Sequence, residues 1–169
     1  MKKNKYFLMI LLVIIAASVG TIFFTKMSTR WQIDKMRAEY SFIFPFDVTN
    51  LKYQLPEYSQ ICKPDFAYTC VNQTCTPAEL DYFILTNKNN QSFFFCNQEK
   101  CEEQKNTGDP ISGTKLHFSE EEIVLNKNIG TGKRGAYVSQ SVVINNNSFI
   151  QTIYNANIMS YNDGKCSQK

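Results

Sequence analysis

The hydrophobic pattern divides the chain into two unequal parts. From Tyr6 to Thr25 it reads YFLMILLVIIAASVGTIFFT without a charge, and twelve of these twenty residues are Leu, Ile, Val or Phe. A helix rising about 1.5 Å per residue covers roughly the 30 Å hydrocarbon thickness of a bilayer with such a stretch. Each Leu, Ile, Val or Phe contributes about −0.3 to −0.6 kcal/mol, so insertion is favoured by roughly 4 to 7 kcal/mol. The pattern predicts a transmembrane signal-anchor helix over 6–25 behind a cytoplasmic tail at 1–5. A cleaved signal peptide is the competing reading, with Lys2, Lys3 and Lys5 as its charged front and Ala16, Ala17 and Ser18 as its small residues. The apolar run continues beyond them through Val19, Ile22, Phe23 and Phe24, which favours an uncleaved anchor.

After the span, Ile33, Met36 and Tyr40 recur at helical spacing, which predicts a juxtamembrane stalk over 26–40. Lys26, Arg30 and Trp31 are its candidates for the membrane interface, where basic and aromatic side chains reach headgroup level.

From residue 41 to 169 the period changes from helical to two. Ser41 to Phe46, with Val48 and Leu51, predicts an edge strand interrupted by Pro45. Pro56 and Pro64 predict turns. Beyond Phe66, short aromatic or β-branched runs alternate with polar turn clusters: FAYTC, YFILT, SFFFC, KLHF, IVLN and AYVSQSVVI. Alternation is clearest over Tyr137 to Ile144 and Phe149 to Tyr161, which predicts the longest hairpin. Thr76 to Leu80 carries a capping Thr and a first-turn Pro, a signal for one helical turn. The expected fold is mainly β: a small antiparallel β-sandwich or β-barrel of six to eight strands in meander order.

Six cysteines refine this picture. Cys70 and Cys75 enclose VNQT, and Cys96 and Cys101 enclose NQEK. Residues one pair outside a two-residue hairpin turn face each other across a non-hydrogen-bonded site, with Cα atoms about 4.5 to 5.5 Å apart, a separation a disulfide fits. Cys62 and Cys166 then remain for each other. A zinc site with four cysteine ligands shares the spacing, but it requires a cytosolic domain and leaves two cysteines over. An even cysteine count behind an export signal points to an oxidising compartment. That decides the orientation, which the basic residues flanking the span leave tied: N-terminus cytoplasmic, β domain periplasmic or extracellular, anchored in an inner or plasma membrane.

The formal charge of +3 is concentrated before residue 41, where seven Lys and Arg meet two acids; beyond it stand eleven basic and thirteen acidic residues. Basic charge beside a span suits lipid headgroups and excludes a nucleic-acid reading. Gly130, Gly132 and Gly135 spell a G-x-G-x-x-G, but a strand-like run follows where the dinucleotide fingerprint needs a helix. His117, the single histidine, stands in LHF and is expected to face solvent, and Glu120, Glu121 and Glu122 to form a solvated turn. Sequons at Asn72, Asn90 and Asn146 carry little weight in a chain so rich in Asn, Ser and Thr. No residue pattern assigns a catalytic, cofactor or metal site.

The outline resembles many small bacterial envelope proteins, and no motif selects a family. The expectation is a single-pass envelope protein that meets the bilayer through 6–25. Its disulfide-stapled β domain is expected to act as a non-enzymatic binding module for a protein or small-ligand partner. The alternatives are an envelope hydrolase or processing enzyme with a site assembled from scattered residues, and a secreted protein after cleavage.

Overall fold

The computed structural model describes residues 31–40, 47–72, 74–109, 112–131 and 136–169. The predicted span, Lys26, Arg30 and the segment 41–46 lie outside them. Among the described residues no helix is long and apolar enough to cross a membrane. Residues 31–39 are helical. Within this helix Lys35 Nζ lies 5.7 Å from the centroid of the exposed Trp31 ring and 3.8 Å from Glu39.

The structure is mainly β, with 57% of the described residues in strands, all of them in the second unit, Tyr40–Lys169. After a 3-10 turn at Val48–Asn50 come β1 (Gln60–Val71), β2 (Thr74–Pro77), β3 (Tyr82–Asn87), β4 (Ser92–Asn97) and β5 (Cys101–Glu103). The second half holds β6 (Thr114–Phe118), β7 (Ile123–Thr131), β8 (Ala136–Ile144), β9 (Ser148–Asn155) and β10 (Ile158–Gln168). All pairings are antiparallel, in the order β5-β4-β3-β1-β10-β9-β8-β7-β6, with β2 also on β1. Two meanders, β3–β5 and β6–β10, thus join through β1 and β10. The sheet curls into a half-barrel and does not split into the two sheets of a sandwich.

Curling encloses one core. Ile84 and Phe93 from one wall meet Ile123, Leu125, Val142, Ile144 and Phe149 from the other, over the Cys62–Cys166 bridge. The opposite face of β3 and β4 carries Phe83, Leu85 and Cys96, covered by Val48, Leu51, Leu55 and Tyr58. Tyr53 pins that cover, donating its hydroxyl to the Asn97 carbonyl at 2.7 Å. At the seam between β5 and β6 the connecting segment bridges the two edges. Gln104 N donates to Phe93 O at 2.8 Å and Thr107 N to Thr114 O at 2.9 Å, while Asn106 Oδ1 accepts from Leu116 N.

Four expectations are corrected. Pro64 marks no turn but lies within β1, where the register against β10 shifts between Pro64 and Phe66. Pairing of β1 with β3 ends at Cys62, so the missing N–H of Pro64 falls where β1 leaves that neighbour. Opposite stands Gly164, where an added Cβ would overlap the Lys63 carbonyl oxygen. Val48 belongs to the 3-10 turn and not to an edge strand, because the Asp47 carboxylate accepts from Thr49 N at 2.9 Å and caps it. Residues 74–77 form β2, since Thr76 pairs with Thr69 instead of capping a helical turn. The run from Phe149 to Tyr161 breaks at Ala156, which has φ 47°, so the predicted hairpin arm is two strands, β9 and β10.

Three disulfides hold the domain: Cys62–Cys166, Cys70–Cys75 and Cys96–Cys101. The first joins residues 104 apart and the others residues 5 apart. In the loop-entropy model these bridges are worth about 4.7 and about 2 kcal/mol. Thermal unfolding of paired Ala variants should therefore place Cys62→Ala/Cys166→Ala well below Cys96→Ala/Cys101→Ala. Equal midpoints would show that the long bridge does not restrain the unfolded chain.

Candidate binding trough

Side chains alternate between the two faces of a strand, so register decides which residues share the concave face. The innermost rows are dry: Ile123, Ile144 and Phe149, then Leu125 and Val142. On that second level the row turns polar, continuing from Val142 to Gln151, Asn162 and Ala67. The next comprises Lys127, Gln140, Ile153, Ser160 and Thr69. The outermost comprises Ile129, Val138, Asn155, Ile158 and Val71. The wall made by β3 and β4 ends at Tyr82. Past it the concave face opens as a trough with a polar floor and an apolar rim. Val71, Ile129 and Ile158 are 45%, 41% and 40% exposed there.

At the inner end of the trough the two walls meet through hydrogen bonds. Tyr82 donates its hydroxyl to Gln151 Oε1 and accepts from Asn162 Nδ2. Asn162 Nδ2 also donates to Gln151 Oε1 at 2.9 Å. Burial pushes the Tyr82 phenol well above its ordinary value; hydrogen bonds from Asn162 and to Gln151 pull against this, and the nearby Asp81 charge adds to it. The remaining atom, Asn162 Oδ1, is buried without a partner, and a buried acceptor left unpaired costs about 1 to 3 kcal/mol.

One row further out, the Thr69 and Ser160 hydroxyls bond each other across β1 and β10 at 2.9 Å. Lys127 Nζ donates to Gln104 Oε1 at 3.1 Å, linking β7 to the seam. There the trough meets a cavity of about 710 Å³ lined by Glu102, Gln104, Thr107, Thr114, Lys127 and Ile129 among others. The exposed Glu102 carboxyl is held below its ordinary range, first by a hydrogen bond from Lys100 and least by the charge of Lys127.

Among the described residues, none of those singled out by sequence lines this trough. Cys70–Cys75 and Cys96–Cys101 close hairpins at Cys70↔Cys75 and Cys96↔Cys101, with β1 and β4 as the first strands. Cys62–Cys166 lies in the dry core. Trp31 belongs to the first unit. His117 is exposed on β6, on the opposite side of that strand from the partly buried Leu116 and Phe118. Glu120, Glu121 and Glu122 form the exposed turn before β7, closed by Ser119 N donating to Glu122 O at 2.9 Å. Among the described residues no group of three His, Cys, Asp or Glu is placed to hold a metal. Gly130 ends β7 with Thr131, and β8 follows with no helix; residues 132–135 lie outside the described residues. The three sequon asparagines all stand exposed at hairpin turns.

The trough residues come from five strands spread over more than ninety positions. Sequence could have hinted at them only through uncharged strands: β8 and β9 carry no Lys, Arg, Asp or Glu. No family model matches the chain, and neither a curated protein nor a solved structure does.

Tyr82→Phe removes a donor to Gln151 and an acceptor for Asn162, and should lower stability by about 1 to 2 kcal/mol. Because folding raises the phenol's pKa, its contribution is full below about pH 10, the value in the unfolded chain, and is lost as pH rises beyond it. Melting curves should show the wild type losing more stability than Tyr82→Phe between pH 9 and the strongly alkaline range. Parallel losses would mean that Tyr82 is not buried in this network.

Proposed function

We propose that the protein is a single-pass membrane protein whose β domain is exported and works as a non-enzymatic binding module. The observation that carries this reading is that all six cysteines are paired. Disulfides persist in oxidising compartments and are rare where glutathione and thioredoxin keep thiols reduced. The uncharged stretch at 6–25 supplies both the export signal and the anchor. Lys26, Arg30 and Trp31 suit the interface beyond it. Orientation follows, with residues 1–5 cytoplasmic and the half-barrel on the periplasmic or extracellular side.

Binding is favoured over chemistry by what the concave face contains. Its polar side chains beyond the core are amides, hydroxyls and one ammonium already engaged with Gln104. Such groups fix and orient a ligand inside an otherwise apolar recess. A protein partner or a small ligand would meet the module there.

The reading is tested on full-length protein recovered from membranes, by intact mass before and after reduction and by protease added to the outer side of sealed cells. The expected result is a chain that retains residues 1–25, gains six hydrogen atoms on reduction and loses its β domain to the protease. Six free thiols, or a protected domain, would overturn export. A mass lacking the first part of 6–25 would replace the anchored protein by a secreted one.

A further inference from the structure

We propose that the trough is the ligand site of this module and takes a small uncharged amphiphile entering head first. A hydroxyl or amide donor would reach Asn162, and the apolar tail would lie against Ile129, Val138, Ile158 and Val71. The assignment rests on the binding-module reading and names its ligand.

Three observations carry it. Asn162 is 4% exposed, and its Oδ1 is buried at the inner end of the trough without a partner while its Nδ2 serves Tyr82 and Gln151. An acceptor so placed selects a donor; a carboxylate, which offers only lone pairs, is turned away. The second observation is that no carboxylate lies in the rows from Asn162 outward. The single ionised side chain there is Lys127, one row beyond Asn162, whose ammonium donates to the neutral Gln104 amide, so the choice of an uncharged head rests on the Asn162 acceptor. The third observation is the gradient of polarity. From the Asn162 row to the Ile158 row is four residues along β10, about 13 to 14 Å. Over that distance the lining changes from amides and hydroxyls to exposed aliphatic side chains. A molecule of matching polarity has its head inside and a medium-length alkyl tail at the mouth.

The test uses the full chain in lipid nanodiscs with isotope-labelled Ile methyls and side-chain amides, titrated with monooctanoylglycerol and, separately, with octanoate. Ile129, Ile153 and Ile158 report on the trough; Ile150, exposed on the other face of β9, is the control. Monooctanoylglycerol should move the three trough methyls and the Asn162 amide while leaving Ile150 in place. Octanoate should bind at least about tenfold more weakly. Ile158→Asp, at the outer end of the β1–β10 pair, should weaken the glycerol ester by about tenfold or more, whereas Ile150→Asp, on the other face of β9, should bind as the wild type does and shows by its melting temperature what an Asp in the sheet costs.

Equal or tighter binding of octanoate overturns the uncharged head. No response of the trough methyls at saturation overturns the ligand class. Movement confined to Ile150 moves the site to the convex face but leaves the binding module standing. Failure of the module itself is read separately, from reduced cysteines in the membrane-recovered chain.

Discussion

The antiparallel pairing of β1 with β10 is the constraint on which the rest of the domain depends. It runs from Gln60↔Gln168 to Val71↔Ile158, with the Cys62–Cys166 bridge inside it. The two meanders are each built from neighbours in sequence and, among the described residues, have no other strand pairing between them. Separated, each would expose one face of the core: Ile84 and Phe93 on one side, Leu125, Val142 and Phe149 on the other. The bridge thus crosses the pair that closes the longest loop, where a covalent link removes most freedom from the unfolded chain.

The same pairing shapes the trough. Because β1 is long, its inner part pairs with β3 and its outer part with β2. The wall that covers the core therefore stops at Tyr82, while β7 to β10 run on. Pro64 and Gly164 accommodate the change, one lacking an N–H and the other a Cβ, at the level where the register shifts. Tyr82, Gln151 and Asn162 then fix the spacing between the covering wall and the floor with directional bonds, at the boundary between dry core and open trough.

Local features of the fold were legible in the sequence and distant ones were not. Alternation of apolar and polar residues revealed a β-rich domain, and the four-residue spacing of Cys70 with Cys75 and of Cys96 with Cys101 revealed hairpins. These signals are confined to a few neighbouring residues. Ala156, with φ 47°, has no turn chemistry of its own, and the flanking Asn155 and Asn157, which do, were outweighed by the apolar alternation running through them. Pro64 suggested a turn because its effect depends on which partner β1 has at that point. The trough was invisible for the same reason. Placing Val71, Ile129, Val138 and Ile158 in one row requires the registers of four strand pairs, none of which is written in any single segment.

The central position of β10 has a consequence for the order of biogenesis. A domain whose last-made strand lies at the edge of its sheet can assemble progressively behind the ribosome. Here Ile158–Gln168 sits between β1 and β9, so β1 waits with an unpaired edge until nearly ninety further residues have been synthesised. During that interval its aromatic run and Cys62 are open to wrong partners, in pairing and in oxidation alike. Folding helpers and disulfide isomerases acting on this chain would therefore find their substrate before β10 emerges, and little to hold after it has docked.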